Sequence, residues 1–413
     1  MSEVIIIGAG PAGLSAGIIC AKYGLKVLIL DEFMFAGGRL LGQLYQEPNG
    51  VWWNGIEESK KLAEEATHLG VNIQLNTSIY NIEKDGMQWT VYTEQNIFKT
   101  PFLLLATGAA EAPLPIRGWT LPGVMSIGAA QVMTNVHRVK PGKKGIIIGI
   151  NVLSVAIATE LKLAGVELSA LTLPTRTKVT EKFANPISTL DSLASLAHLA
   201  PNKFIQRSGL FLRKDFFRKM VLALYPKKGI KIAGIPFQLK KAVIDIYGEN
   251  SVEGVTIASI DRKGKVIPNS EKKIEVDFVC IAGGLYPLAE LAALAGCPFY
   301  YIEELGGHVP LHNEKMETTM EGLFVAGNIT GIEGAKVAIA QGTTAGLSIV
   351  HKSGINVEKE LENSIKKTNE TRENALIQFH PKIAQGKRAV FKKWDQFQVN
   401  GSRIGDTRLS PEH

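Results

Sequence analysis

The feature that most constrains this chain is the run Gly8-Ala-Gly10-Pro-Ala-Gly13, which directly follows the apolar stretch 4–7. A short apolar run closed by glycine reads as a buried strand, and residues 13–23 after it carry a helical pattern. Gly8 permits the tight turn, Gly10 lets backbone approach a pyrophosphate, and Gly13 lets helix and strand pack closely. Pro11 and Ala12 stand at the start of the helix, where free N–H groups and the helix dipole favour phosphate. A second strand over 26–30 ends at Asp31, about twenty residues on, where an acid should meet ribose hydroxyls; Glu32 is the alternative acid. A strand–helix–strand unit of this kind demands a right-handed crossover and a parallel sheet.

The rest of the chain repeats the theme. A helix is expected at 57–68, short strands at 73–76, 89–93 and 98–99, and a buried strand at 102–106. A second strand–helix–strand unit covers 145–149, 155–164 and 168–173. Residues 177–200 read as helix and loop, and strands return at 230–233, 242–247, 254–260, 278–282 and 322–326. The first unit lacks a complete sheet without the last of these strands. The expected fold is therefore α/β, with two Rossmann-like dinucleotide-binding domains, the second inserted in the first. Residues 1–112 and 283–354 form the first domain, 113–282 the second, and 355–413 a helical extension whose last stretch, 399–413, reads as a flexible tail.

With 413 residues, 45% hydrophobic and 21% charged, the chain can build two such cores. The net charge of +7 is spread over scattered lysines without a recognition motif, so no nucleic-acid partner is expected. The three cysteines, Cys20, Cys280 and Cys297, are far apart in sequence and lie in apolar surroundings. They read as reduced, buried thiols of a cytoplasmic protein, and neither a dithiol centre nor a metal site is expected. The early strand leaves no room for a signal peptide, and glycines interrupt the apolar stretch 4–21, so no membrane span is expected.

The second fingerprint is defective. Gly149-Ile-Asn151-Val-Leu-Ser154 keeps the first glycine and loses the other two. The strand after it runs into Leu173-Pro174, with no acid for a ribose, although Thr175-Arg176 is able to meet a phosphate. Poor use of NAD(P)H follows, while a second nucleotide, NAD(P) or ATP-like, stays open.

Leu105-Ala-Thr-Gly108 and Leu323-Phe-Val-Ala-Gly327-Asn328 each close a buried strand. With them the chain resembles the two-dinucleotide-binding flavoproteins of the thioredoxin-reductase and disulfide-reductase superfamily. The resemblance narrows on several segments. These are Asp31-Glu32, Gly37-Gly38-Arg39, Ala106-Thr-Gly-Ala109, Gly118-Trp-Thr-Leu-Pro-Gly-Val124, Gly128-Ala-Ala-Gln131, and Gly306-Gly-His-Val-Pro-Leu311 ahead of Met316-Glu-Thr-Thr319. Together they are similar to the FAD subunits of hydrogen cyanide synthase, opine oxidase, and the multi-subunit proline, hydroxyproline and sarcosine dehydrogenases or oxidases. The resemblance implies FAD as cofactor. Ala106, Thr107 and Gly108 would close its domain, and Gly327 with Asn328 would bind the ribitol, Asn328 standing where the family usually has Asp. The helix after them would aim its N-terminus, Gly334 and Ala335, at the flavin pyrimidine. Cys-rich segments common after that helix in these subunits are absent, since no cysteine follows Gly354.

Arg39, Gln43 and Lys336 are the candidates for tuning the flavin, with Tyr45, Trp52 and Trp53 as possible walls. Three functions stay open: a redox subunit oxidising a small amine or imino acid, a stand-alone NAD(P)H-dependent reductase, and a non-catalytic FAD- or nucleotide-binding scaffold. Partners would be that small molecule, and a second flavoprotein subunit or further copies of the chain. Between 357 and 397, Leu361, Ile365, Leu376, Ile377, Ile383, Val390 and Phe391 recur at helical spacing among charged residues. That face either packs back on the FAD domain or docks a partner.

Overall fold

The computed structural model describes residues 2–47, 50–194, 215–226, 228–232 and 234–401. The helices that frame the site are α1 (Pro11–Lys22), α2 (Ile127–Asn135), α3 (Val152–Leu163), α4 (Ala335–Lys352), α5 (Glu358–Glu373) and α6 (Ile383–Gly401).

The first sheet is wholly parallel. Its order is Leu323–Val325, Phe102–Leu105, Val4–Ile7, Val27–Leu30, Asn72–Gln74. The strand latest in sequence therefore completes a sheet begun at residue 4. Val4, Ile6 and Ile29 face α1 and α4, while Ile5, Ile7, Leu28 and Leu30 face the opposite side. There an antiparallel layer of Ile79–Asp85, Gln88–Thr93 and Ile97–Thr100 covers them with Ile82, Trp89 and Val91. Burial on both faces is why these strands read as unbroken apolar runs, each side chain contributing about 1.5–3 kcal/mol. Helices α1 and α4 cross closely because glycine leaves room. A Cβ on Gly342 would lie 2.1 Å from the Ala12 carbonyl oxygen.

Chain between those strands builds a second sheet, ordered Val124–Ser126, Phe278–Ile281, Lys144–Ile148, Glu167–Pro174, Ile235–Tyr247, Gly254–Ser259, Lys272–Glu275. The first five are parallel and the last two antiparallel, with Ile230–Ile232 paired on Ile235–Tyr247. The strand expected at 242–247 is thus a 13-residue strand. Its first half, 235–241, holds the lysine pair Lys240-Lys241, and alternation of buried and half-buried residues there is masked by those charges. The expected mostly helical stretch 177–200 contains the helix Pro186–Ala194, and 195–200 lie outside the described residues.

The tail folds back. On α5, Leu361 and Ile365 join the core beneath α4, and Thr344 Oγ1 lies 2.8 Å from Ser364 Oγ and 3.0 Å from Thr368 Oγ1. On α6, Ile383, Val390, Phe391 and Trp394 pack on Leu305, Val309 and Leu311. Helix α6 runs through Val399, where a flexible tail was expected to begin; residues 402–413 lie outside the described set. No helix among the described residues is long and apolar enough to cross a membrane.

Candidate functional site: one open nucleotide cradle

The strand Val4–Ile7 ends in Gly8, at φ +107°, with its N–H donating to the Leu30 carbonyl at 2.8 Å. A Cβ there would sit 2.3 Å from the Ala106 carbonyl oxygen, so only glycine serves. Gly13 packs inward against Gly8 and does not line the cleft. Gly10 caps α1 without any side-chain bond, and nothing lies within 4 Å of where its Cβ would be. That open side faces a cleft of about 840 Å³ lined by Gly8, Gly10, Pro11 and Ala12.

The same cleft gathers nearly all the sequence-derived candidates. Asp31 and Glu32 line it, as do Gly38, Arg39 and Gln43. So do Ala106, Thr107 and Gly108, and on the far wall Gly327, Asn328 and Ala335. Asp31 does more than await a ribose. Its Oδ2 accepts the Ala9 N–H at 2.6 Å and its Oδ1 the Phe33 N–H at 2.8 Å, tying the glycine turn to the strand end. Burial pushes its carboxyl up, and these two N–H groups oppose that. Glu32 beside it is exposed.

Arg39 reaches the cleft from the turn Gly38–Gly42. Its Nε donates to the Ala109 carbonyl at 3.0 Å, and its Nη2 lies 3.9 Å from Glu111. Glu111, which no sequence motif marks, accepts from Ser126 Oγ at 2.9 Å and from the Gly128 N–H at 3.0 Å, at the start of α2. Gln43 accepts from Trp53 Nε1 at 3.2 Å, and Trp53 stacks on Tyr45. Lys336 does not line the cleft. It pairs with Glu47 at 2.5 Å and lies 5.0 Å from the centroid of Trp53, half exposed, because an ammonium keeps its hydration more cheaply there.

Two cations of the tail meet the cleft wall through Glu333. Glu333 lines the cleft just before α4, and its Oε1 accepts from Arg372 Nε of α5 at 2.6 Å. Lys387 Nζ of α6 lies 3.3 Å from its Oε2 and donates to the Thr330 carbonyl at 2.8 Å. Gln341 Nε2 donates to Glu333 Oε2 at 2.8 Å, while its Oε1 accepts the Gly327 N–H at 2.8 Å. Asn328 Oδ1 accepts the Glu333 N–H at 3.0 Å. Burial pushes the Glu333 carboxyl up, but Lys387 and Arg372 together hold it below the usual range. Burial pushes the Lys387 ammonium down to about 8 against the pull of Glu333. Glu333 and the two cations are invisible to pattern reading, since a basic residue in a Lys- and Glu-rich helix reads as solvated.

The second fingerprint is closed on itself. Asn151 caps α3: its Oδ1 accepts the Ser154 N–H at 2.9 Å, and Ser154 Oγ accepts the Asn151 N–H at 2.9 Å. Asn151 Nδ2 also donates to the Ala282 carbonyl at 2.9 Å. Two of the N–H groups at this helix start, those of Asn151 and Ser154, are therefore satisfied from within. Beyond the strand Glu167–Pro174 lies a separate cleft of about 490 Å³ lined by Thr175, Arg176, Lys178 and Lys265, where Arg176 pairs with Glu181. The three thiols are free and buried, Cys20 pushed up to about 12 and Cys297 to about 11 by that burial, with Cys280 also raised.

Two uncapped helix N-termini, at Gly10 and Gly334, with no acid in either first turn, border one cleft. That is the donor set an FAD needs: N–H groups for its phosphates and positive dipole for its electron-rich ring.

Comparison with known proteins agrees. The family model for pyridine nucleotide-disulphide oxidoreductases matches residues 2–342. An opine oxidase subunit from Agrobacterium tumefaciens is 27% identical over 84% of this chain, and the match spans 65% of that subunit's length. Hydrogen cyanide synthase subunit HcnB of Pseudomonas aeruginosa is 26% identical over 84% of this chain and 70% of its own. Among solved structures, L-proline dehydrogenase from P. horikoshii superposes with a TM-score of 0.61 at 19% identity, over 88% of this chain and 58% of that one. Lactococcus lactis thioredoxin reductase gives 0.59 at 20% identity, over 89% of this chain and all of that one. The glycine cradle, the second sheet set between strands of the first and the extent of the family match lead to one conclusion: the chain belongs to the pyridine nucleotide-disulphide oxidoreductase family.

Proposed function

We propose that this chain is the FAD-carrying subunit of a dehydrogenase or oxidase acting on a small amine or imino acid of the proline, hydroxyproline, opine or glycine type. The observation that carries this reading is the contrast between the two fingerprints. The first helix N-terminus is open to a cleft, whereas Asn151 and Ser154 close the second. A chain built to take hydride from NAD(P)H needs both open. The names of its relatives, opine oxidase and hydrogen cyanide synthase subunits, support the substrate class and the presence of a further subunit.

Residues 1–112 and 283–354 would form the FAD domain, 113–282 the second nucleotide domain and 355–413 the extension. Gly10 with the start of α1 would hold the pyrophosphate, Asp31 and Glu32 the ribose, and Asn328 the ribitol. Thr107, whose hydroxyl donates to the Leu288 carbonyl at 2.5 Å, would brace the wall beside it. Bound FAD supplies a hydride acceptor for the carbon next to an amine nitrogen. Arg39 and Gln43 would orient the ring and the substrate from the turn side. Reduced, unpaired thiols fit a cytoplasmic protein. The basic cleft at Arg176 and Lys178 suits a nucleotide that is not the hydride donor.

The test is anaerobic reduction of the FAD-loaded chain by a panel of amines, imino acids, NADH and NADPH, with and without co-expressed neighbouring subunits. Bleaching by one amine or imino acid is expected. Rapid bleaching by NADH or NADPH would make the chain a stand-alone reductase. A flavin reduced by nothing in the panel would make it a scaffold.

A further inference from the structure

We infer that Lys387 and Arg372, carried by the C-terminal hairpin, are positioning residues for the flavin: through Glu333 they give the ribitol wall of the FAD cleft a net positive charge and hold it in place. The inference rests on the FAD reading of this cleft.

Glu333 is the starting point. Its carboxylate lines the cleft beside the start of α4, and its side chain is 4% exposed. Alone, a buried anion there would repel phosphate and an electron-rich ring. It is not alone. Arg372 and Lys387, 5% and 2% exposed, both reach it, so the trio carries a net charge of about +1. The geometry also braces the backbone that should face the cofactor. Lys387 Nζ donates to the Thr330 carbonyl at 2.8 Å and lies 2.7 Å from Thr330 Oγ1. Glu333 Oε2 accepts from Gln341, whose other end accepts the Gly327 N–H. The Glu333 N–H holds Asn328 Oδ1, which leaves the Asn328 amide hydrogens for a ligand. The two cations come from helices that lie 39 and 54 residues beyond Glu333 in sequence, and neither lines the cleft. Their role is therefore to act through Glu333 and Thr330, not to touch the cofactor.

Two properties should separate this from plain packing. Removing Lys387 should weaken FAD binding, because the wall loses its brace. It should also favour oxidised over reduced FAD, because the wall loses a cation. The experiment titrates full-length apoprotein with FAD and measures the midpoint potential of the bound flavin by spectroelectrochemistry. For Lys387→Met we expect a dissociation constant about tenfold higher and an about tenfold loss of preference for the reduced form, which is about 30 mV for a two-electron couple. Glu333→Gln/Lys387→Met restores the net charge through Arg372 and should bring the potential back towards wild type. Val390→Ala removes buried side chain from the same helix without touching the trio, and should leave the potential unchanged. Should Lys387→Met not fold, Arg372→Met removes the trio's other cation and should shift affinity and potential in the same direction. Wild-type-like affinity and potential in the Lys387 variants, or an equal shift in Val390→Ala, overturns the inference. A wild-type chain that does not bind FAD overturns the functional reading and this inference with it.

Discussion

Gly10 is the residue on which the cofactor assignment is easiest to test. It has ordinary φ, at −74°, and nothing within 4 Å of its missing Cβ. A Cβ there strains no backbone and meets nothing within 4 Å, so flavin lost from a variant that keeps its fold belongs to the ligand. Gly10→Val should keep its circular dichroism and melting temperature and lose flavin absorbance after purification. A folded variant with full flavin content would remove the phosphate cradle from Gly10. Gly8 offers no such test, because a side chain at that position meets the Ala106 backbone and the fold fails first. The cysteines form the opposite case. All three are buried, with their thiols pushed away from the reactive thiolate. Single changes to Ala should cost about 1 kcal/mol of stability and leave flavin reduction intact. Abolished reduction in a stable variant would reveal a thiol centre.

Helix α3 shows how one element's capping chemistry can decide a function. Opening its N-terminus with Asn151→Gly/Ser154→Gly should cost about 1 kcal/mol at most, a few tenths for glycine at the cap and the rest for glycine within the helix. It should also speed the reduction of bound flavin by NADH, followed by stopped flow, relative to a slow wild type. No change in that rate would mean that the cap is not what limits nucleotide use. The departure at Asn151 is visible in the sequence; that its amide is pinned in place is not, because its Nδ2 donates to the Ala282 carbonyl 131 residues away. The same division runs through the fold. Parallel strands buried on both faces announce themselves as apolar runs, and a glycine fingerprint states its own geometry. The hairpin Leu44–Gln46 with Trp52–Asn54 and the pair Phe299–Ile302 with Gly307–Pro310 do not, being short and half exposed. Helical position alone points Lys336 towards the flavin, and Glu47 and Trp53, which claim it, lie almost 290 residues upstream.

At the scale of the whole molecule, the two sheets are joined by a buried carboxyl. Glu160 of α3 accepts from Gln131 Nε2 at 2.7 Å and Asn135 Nδ2 at 2.9 Å on α2, and from the Leu44 N–H at 3.3 Å, next to the turn that carries Arg39. Asn135 also donates to the Gly42 carbonyl at 2.7 Å. Burial pushes the Glu160 carboxyl up to about 7, against the bonds that favour its charge. An unfolded Glu titrates near 4.3, so between there and about pH 7 the folded chain holds the extra proton. Stability from this group is thus full below about pH 4.3 and falls as pH rises to 7, by at most about 1.4 kcal/mol per unit. Glu160→Gln should remove that slope, so urea midpoints of variant and wild type should converge at about pH 4 and separate towards about pH 8, the variant being higher. Parallel pH profiles would show that Glu160 is ionised throughout.

Assembly is the remaining question at this scale, and the tail's packing changes how it must be asked. The apolar face of 357–397 is spent on the chain's own core, at Leu361, Ile365, Ile383 and Val390. Truncation at residue 356 would strip Glu333 of both cations and uncover Leu305 and Val309, so lost activity in such a variant would not diagnose a docking site. Exposed apolar side chains remain elsewhere, among them Met34 and Phe35 on the loop after the second strand and Val51 and Trp52 on the 44–54 hairpin. These can be changed without touching the core. The full-length chain expressed alone should bind FAD but turn over proline, hydroxyproline, opines and glycine derivatives slowly with an artificial acceptor. Co-expression with a neighbouring subunit should raise turnover and increase the mass in solution. Enzyme-like rates from a lone monomer would refute the need for a partner. Met34→Lys with Trp52→Lys, measured for FAD content, mass and turnover, then separates assembly from cofactor binding: a docking role predicts full flavin, reduced mass and reduced turnover together.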